Sequence, residues 1–423
     1  MGDPSGAGAP EASALRVSSM DQFRGLTILL MFAVHYHGFD WGVNLAPVLR
    51  HNHFYLSVGD LAFPWFHLAA GFALRLTLLR RQKIQGPRAA YLRVVRRCVL
   101  LIVLSDAFEF LGKLHVSRWG PEQRSDPLAL LATYLKFDAW TILAIIGFTS
   151  LWVLPVIGRS ARVRIAFLLG GLAVHALAMQ AFYTAFLNGW PNPVDDVLGT
   201  TGVRGCEGGP LGFLVWAVPQ IAGSLAHDLV AGQRLRRSWG VLVGWGLVLV
   251  GIGYGFSCLS NLYPVAQGPR FDAWSYPDTK QRVQSPVLPP LESWPAGGVR
   301  VCLSDPPFVP PPPERQRVYN YWMMSRHHAT ATFMLTATGF GLMTYSLFVL
   351  LCDAWIVRVG VLRTFGQNPL VAYLLDMNVG GLVSEFWPEG GGLPWALAGA
   401  GVRFALTYLP VRLLEWRRIY LRL

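Results

Sequence analysis

Charged residues are scarce in this chain, and its cysteines form no metal-binding pattern. Only 14% of the 423 residues are Asp, Glu, Lys or Arg, whereas 53% are hydrophobic. This balance argues against a soluble protein of two or three domains and indicates a polytopic membrane protein. The five cysteines include no CxxC pair and no Cys/His spacing of a zinc site, so we predict no structural metal.

The patterns of several other protein classes are also missing. None of the apolar runs alternates as the strands of a membrane barrel do. A net charge of +12 would suit nucleic acid, but the basic residues fall in short clusters between apolar runs, which membrane topology explains better. We therefore expect the lipid bilayer, and no nucleic acid, as a partner. Residues 1–18 lack the order of a cleaved signal peptide and are predicted to be a disordered cytoplasmic tail.

What the sequence does contain is about ten apolar runs of membrane-spanning length. Each run is predicted to be a helix, because lipid offers the backbone no hydrogen-bond partner. The runs lie near residues 22–38, 59–79, 98–113, 137–157, 165–188, 210–230, 239–260, 328–351, 366–386 and 394–414. Residues 19–423 are therefore predicted to form a single all-α domain, a bundle of about ten transmembrane helices.

Basic residues cluster in alternate connections between these runs. The connection after the second run carries no acid and seven basic residues: Arg80, Arg81, Lys83, Arg88, Arg93, Arg96 and Arg97. Because Lys and Arg accumulate on the cytoplasmic side, both termini are predicted to be cytoplasmic. The other connections then face outward, including a long proline-rich loop at residues 261–326. Cys206 and Cys302 lie on that outer side, where either a disulfide or two separate thiols fits the sequence.

The first apolar run carries titratable residues at both ends. Asp21 and Arg24 lie at its start, and His35 lies near its end. Arg24 and His35 are eleven residues apart, which places them on one helix face with a rise of about 16 Å. Charged groups are costly inside a bilayer, so this helix is a candidate site. The plainer interpretations are an arginine that snorkels to the surface and an interfacial histidine.

A second set of polar residues follows this run. His51 and His53 occupy the next loop, and Asp60 opens the second apolar run. A histidine near neutral pKa can act as a general base, and a carboxylate can orient it. A solvated loop histidine and an acid favoured by the helix dipole are the alternatives.

Three acids lie inside later runs: Asp106, Glu109 and Asp376. Intramembrane acids are candidates for a substrate or proton path, so one alternative function is a membrane transporter. Pairing with basic or backbone groups inside the bundle is the structural interpretation.

Four segments of the chain carry recognisable motifs: SMDQFRGLTILLMFAVHYHG, GDLAFPWFHLAAG, GPLGFLVWAVPQIAGSLAHDLVAGQ and FGQNPLVAY. Together they resemble the heparan-alpha-glucosaminide N-acetyltransferase-like membrane acyltransferases. The most specific match is S-x-D-x-F-R-G followed by D-L-x-F-P-W-F, within the first 75 residues. His35 replaces an asparagine of that family and instead fits the R-x10-H pattern of the related acyltransferase-3 proteins.

The resemblance implies an acyltransferase that moves an acetyl or acyl group from cytoplasmic acetyl-CoA to an amino or hydroxyl group of a sugar or glycan outside. His51 is then the expected general base, with His53 and His35 as alternatives and Asp60 as the orienting carboxylate. The donor-binding residues implied by the resemblance and the basic loop are Arg24, Asp21, Arg96, Arg97 and Asn368.

We expect an integral protein of the bacterial cytoplasmic membrane, and the sequence leaves open whether it is a homodimer. The family's Gln-Arg pair before the fourth span is missing here, where the chain reads AWTILAIIG from Ala139. A catalytically inactive relative is therefore a further alternative.

Overall fold

The computed structural model describes residues 17–38, 49, 51, 55–113, 127–232, 235–263, 285–289, 303, 319–387 and 392–421. Every regular element in this part of the chain is helical, which confirms the prediction of an all-α protein. The tail up to residue 16, His53, and most of the 261–326 loop with Cys302 lie outside the described residues. The relation between Cys206 and Cys302 therefore stays a prediction.

The described residues contain fourteen α-helices. They are α1 (Ser18–Gly38), α2 (Ala62–Gln85), α3 (Pro87–Lys113), α4 (Pro127–Thr133), α5 (Ile142–Ile157), α6 (Ala161–Ala178), α7 (Thr184–Asn188), α8 (Pro193–Leu198), α9 (Phe213–Gly232), α10 (Leu235–Ser257), α11 (Ala331–Phe348), α12 (Gly360–Gln367), α13 (Pro369–Phe386) and α14 (Gly392–Trp416). Short 3-10 turns precede α2 (Gly59–Leu61) and α9 (Gly209–Leu211) and follow α10 (Cys258–Leu262). Turns of π-helix follow α4 (Tyr134–Asp138), α6 (Met179–Tyr183) and α11 (Val349–Ala354).

Several helical segments are long and apolar enough to cross a membrane. Among the described residues there are six: Gly59–Gln85, Ala161–Asn188, Gly209–Gly232, Arg237–Leu262, Ala331–Ala354 and Pro394–Trp416. A seventh is added if Leu128–Asp138 and Ile142–Ile157, bent by 85°, form one span. The helices α1, α3 and α13 are not among them, since their charged and polar residues reduce the hydropathy of the run. The chain is thus an integral membrane protein, and the full count of ten spans stays a prediction.

The main hydrophobic core lies between α1, α2, α9 and α11. The ring of Phe23 on α1 lies 5.8 Å from that of Trp65 on α2 and 5.6 Å from that of Tyr345 on α11, measured between centroids. Large apolar side chains are exposed on the outer helices, including Leu169 on α6 and Leu409 on α14. Such a surface is expected where helices face lipid instead of water.

Contacts between helices define two ends of the bundle. At the end that we call proximal, the start of α1 at Asp21 lies against Gly366 of α12, and Thr364 donates a hydrogen bond to Glu415 of α14. At the other end, called distal, His35 of α1 contacts Asp376 of α13. Thus α1 begins at the proximal end, and α14 ends there.

Glycines set the distances between two pairs of helices. A Cβ atom on Gly25 of α1 would lie 1.9 Å from a carbonyl oxygen of α12, and one on Gly366 would lie 1.7 Å from a carbonyl oxygen of α1. The α2 and α9 helices meet in the same way, at 1.8 Å for Gly71 and 1.9 Å for Gly223. No larger residue fits at these contacts without moving the helices apart.

Candidate functional site

The distal end brings His51 and Asp60 into direct contact. The Nδ1 atom of His51 lies 2.6 Å from Oδ1 of Asp60. The Asp60 side chain is 1% exposed, whereas 28% of the His51 side chain remains accessible. Because Nδ1 is bound to the carboxylate, Nε2 is the ring nitrogen that can serve an incoming acceptor.

A tight turn ahead of α2 fixes the Asp60 carboxylate. The Ser57 hydroxyl donates a hydrogen bond to Asp60 Oδ2 at 2.8 Å, and it also accepts one from the Asp60 backbone amide at 3.2 Å. Ser57 thus bonds both the side chain and the backbone of Asp60. A Cβ on Gly59 would lie 2.4 Å from the carbonyl oxygen of Leu49, so the turn packs directly against the preceding loop. The carboxylate therefore has one defined orientation.

Arg326 and Glu207 complete this cluster, and neither is predicted from the sequence. The Nε atom of Arg326 lies 3.5 Å from Asp60 Oδ1, and Nη2 lies 2.9 Å from Oε1 of Glu207. Their side chains are 20% and 9% exposed, respectively. Arg326 adjoins two histidines directly before an apolar run, which is a signal that could have marked it. Nothing near Glu207 in the sequence distinguishes that residue.

The surroundings shift the proton affinities of two groups in this cluster. Burial lowers the pKa of His51 below its usual value, and the positive charge of Arg326 lowers it further, whereas Asp60 opposes both effects. A smaller contribution comes from His35, so the two imidazoles are electrostatic neighbours. Burial raises the pKa of Glu207 to about 7, against the opposing charge of Arg326. At pH 7 His51 is therefore mainly neutral, as a general base must be.

A second histidine–carboxylate pair lies at the distal end. The Nδ1 atom of His35 is 2.8 Å from Asp376 Oδ2. Arg403 of α14 binds the other carboxylate oxygen, with Nε at 2.9 Å and Nη2 at 2.7 Å from Oδ1. Asp376 is fully buried and 3% of Arg403 is exposed, but 24% of His35 remains accessible. Asp376 therefore pairs with basic groups inside the bundle, which is the structural interpretation of the intramembrane acids.

The predicted donor-binding arginines lie at the proximal end. Arg24 on α1 is 22% exposed, and its Nη1 is 3.2 Å from Oδ1 of Asp21. Burial and the neighbouring charge of Arg24 lower the pKa of Arg97 on α3, so these two cations lie close together. Arg96 is exposed on the same helix. Arg24 and Arg97 are thus electrostatic neighbours, and Arg24 lies eleven residues before His35 on α1, a rise of about 16 Å.

Asn368 has backbone partners near the C-terminus. It lies between α12 and α13, where its side-chain amide donates to the Ile419 carbonyl at 3.1 Å and its oxygen accepts from the Leu421 amide at 3.2 Å. It is fully buried and lies eight residues before Asp376, toward the proximal end. The contact of Asn368 with an acyl donor stays a prediction.

No family model matches the chain, and no curated protein matches it. Within the described residues, no group of three or more His, Cys, Asp or Glu side chains is arranged to hold a metal ion. The fold and the site together define an integral membrane protein with two histidine–carboxylate pairs at one end of a helical bundle.

Proposed function

We propose that this protein is a transmembrane acyltransferase. It takes an acetyl or acyl group from acyl-CoA on the cytoplasmic side and delivers it to an amino or hydroxyl group of a sugar or glycan on the other side. The contact of 2.6 Å between His51 and the buried Asp60 carries this proposal. A general base needs an oriented imidazole that is neutral at working pH, and this pair provides both conditions.

In the proposed reaction, Nε2 of His51 removes a proton from the acceptor as its oxygen or nitrogen attacks the thioester carbonyl. A new carbon–oxygen or carbon–nitrogen bond forms, and the carbon–sulfur bond breaks. The proton on His51 passes to the departing thiolate, which restores the neutral base. Asp60 holds the imidazole in place and stabilises its charged form during the transfer.

The proximal arginines suit the phosphate groups of the donor. Arg24 and Arg97 are close enough for one charge to lower the proton affinity of the other, which is a repulsion that a bound phosphate would relieve. Arg24 and His35 lie eleven residues apart on α1, a rise of about 16 Å. An extended acyl donor bound by its phosphates at the proximal end would place its thioester toward the distal end.

The same arrangement supports a proposed orientation in the membrane. The start of α1 and the end of α14 share the proximal end, and the basic connection of Arg80 to Arg97 joins α2 to α3. Since basic connections face the cytoplasm, we place the proximal end and both termini there, with ten passes through the bacterial cytoplasmic membrane.

The direct test is acyl transfer by the purified protein in lipid nanodiscs. Labelled acetyl-CoA would be supplied with a panel of amino sugars and neutral sugars, and labelled product and free CoA thiol would be measured. Replacement of His51 by Gln should reduce transfer by about 100-fold or more. His227→Gln is the matched control, because His227 Nδ1 also contacts an aspartate, Oδ1 of Asp228 at 3.3 Å. Absence of both acetyl-CoA binding and transfer in the wild type would contradict the proposal.

A transporter is the second candidate function. The triad of His35, Asp376 and Arg403, in which Asp376 and Arg403 are buried, would be its site, since proton paths in transporters use charged groups inside the bundle. Under this alternative, Asp376→Asn should abolish substrate flux in proteoliposomes and leave acetyl-CoA affinity unchanged. An inactive relative would instead retain its cellular role when both His35 and His51 are replaced by Gln.

A further inference from the structure

We propose that Arg326 and Glu207 position the His51–Asp60 pair and set the charge next to it. Arg326, shared between two carboxylates, holds Asp60 and governs when His51 can accept a proton. This inference rests on the proposed role of His51 as the base, and it adds a pH-dependent control of that same site.

Arg326 is held by a tightly bonded segment. The Ser325 carbonyl accepts a hydrogen bond from the Thr330 backbone amide at 3.0 Å. His328 is fixed between the Ser325 hydroxyl and the Asn188 side-chain oxygen, each at 3.1 Å, and its ring stacks on Tyr319 at 3.9 Å between centroids. All five residues that make these contacts are buried. The guanidinium therefore reaches Asp60 from a defined position.

Glu207 is anchored beside the same segment. Its backbone carbonyl accepts a hydrogen bond from Trp216 Nε1 at 3.0 Å, and the next amide, of Gly208, donates to the His327 carbonyl at 2.8 Å. Its φ of 51° is in the left-handed region, which a residue with a Cβ occupies only where its surroundings hold it. The segments that carry Arg326 and Glu207 are thus held by other hydrogen bonds and do not depend on the ion pair between the two side chains.

The Glu207 carboxyl contacts the arginine through one oxygen only. Oε1 faces Arg326, whereas Oε2 is buried and has no hydrogen-bond partner among the described residues. A buried oxygen of this kind favours the protonated acid, and Arg326 favours the ionised one, so the carboxyl changes state near neutral pH. When Glu207 is ionised, it balances the charge of Arg326. When it is protonated, the full positive charge acts on Asp60 and His51 and makes His51 a weaker base.

Two other titratable groups, His35 and Cys206, act on this cluster. His35 of α1 acts on His51, but His35 already pairs with Asp376 of α13, whose other carboxylate oxygen binds Arg403 of α14. Cys206 acts on Arg326 weakly, after Glu207 and Asp60. Within the described part of the chain, Glu207 is thus the acid that both contacts Arg326 and has a pKa near 7.

The test is a titration of His51 by NMR in protein labelled at histidine Cε1, which needs no enzymatic activity. The His51 signal is assigned by its loss in His51→Gln. Arg326→Gln should raise the His51 midpoint by about one pH unit, because a nearby positive charge is removed. Glu207→Gln should lower it by a smaller amount, because the negative charge that balances Arg326 is lost. The acidic limb of the pH–rate profile for acyl transfer should shift in the same direction as the His51 midpoint in each variant.

Matched controls change the same charges at exposed positions. Arg204→Gln and Asp196→Asn should move the His51 midpoint by no more than about 0.2 pH unit, because solvent screens exposed charges. Arg326→Lys keeps the charge and should keep the midpoint, even where Arg326→Gln fails to fold. The inference is overturned if neither Arg326→Gln nor Glu207→Gln moves the midpoint beyond the controls. Absence of acyl transfer with these shifts intact would instead contradict the proposed function alone.

Discussion

Alanine at Gly25 or Gly366 should force α1 and α12 apart. Atoms essentially never lie closer than 3.0 Å to a Cβ, whereas the new Cβ would start 1.9 Å from Leu362 O at Gly25 and 1.7 Å from Asp21 O at Gly366. The helices must therefore separate by at least about 1.1 to 1.3 Å, because both obstacles are backbone atoms that cannot turn away.

That separation is large enough to break nearby hydrogen bonds. The side chain of Gln22 on α1 accepts from the Val359 amide at 2.7 Å and donates to the Val357 carbonyl at 2.9 Å. An added 1.1 Å would take both beyond hydrogen-bond distance. Overpacking costs about 1 to 3 kcal/mol and each lost bond about 1 kcal/mol, while alanine regains almost 1 kcal/mol of helix propensity. The expected net loss is about 2 to 4 kcal/mol of unfolding free energy.

The measurement is a denaturant titration in detergent micelles, followed by tryptophan fluorescence. The matched control is Gly244→Ala on α10, where a Cβ would have no atom within 4 Å. This control should be unchanged or more stable by up to about 1 kcal/mol. If Gly25→Ala and Gly366→Ala were both as stable as Gly244→Ala, the close packing of α1 on α12 would be refuted.

Three further results are expected. Asp60→Asn should lower kcat for acyl transfer by about 100-fold or more, whereas Ser57→Ala, which removes one hydrogen bond, should lower it only about fivefold; equal effects would contradict the orienting role of Asp60. Arg403→Leu should lower the unfolding free energy by about 3 to 5 kcal/mol because Asp376 loses its buried partner, and Asp376→Leu/Arg403→Leu should cost less than that single change. Since the folded pKa of Glu207 is raised from 4.5 to about 7, its stabilising effect is complete below pH 4.5 and is lost as pH rises toward 7, a change of about 3 kcal/mol. Unfolding titrations at pH 4.5 and 7.5 should show this loss in the wild type, and an equal loss in Glu207→Gln would exclude Glu207 as its source.

Local features of the fold and site were predictable from the sequence. The run near 22–38 corresponds to α1 at Ser18–Gly38, because a long apolar run has few alternatives to a helix. His51 and Asp60 are nine residues apart, and the short turn ahead of α2 is enough to bring them together. The chain order therefore predicts that they lie near each other, whereas their direct contact is known only from the structure.

Long-range partners could not be predicted in this way. Arg326 reaches Asp60 across most of the chain, and His35 and Asp376 are 341 residues apart. Apolar periodicity says which face of a helix is buried but not which helix covers it. Without that information, Asp376 could be an unpaired proton carrier or the centre of an ion triad, and only the packing of α1, α13 and α14 distinguishes them.

The fourth run shows a different limit of the sequence. A continuous span was predicted near residues 137–157, but α5 begins at Ile142 and is bent by 85° from the preceding helical segment. Lys136 lies in the last turn of that segment, with its Nζ 2.6 Å from both carboxylate oxygens of Asp195. A buried cation needs such a partner, so the chain turns toward α8 before it enters the bundle. Hydropathy alone does not predict that Lys136 needs an acidic partner.

The two histidines are held by separate parts of the molecule, and this difference can identify the base. His35 depends on the packing of α1 against other helices, because its partner Asp376 lies on α13, which follows α12 and moves with it when the Gly25 contact is loosened. His51 depends on the turn at Ser57 and on the segment that carries Arg326. In Gly366→Ala, a base at His35 would therefore lose its position, whereas a base at His51 would keep its carboxylate. Retained kcat in a destabilised but folded Gly366→Ala protein would favour His51, and a fall in kcat that Gly244→Ala does not share would favour His35.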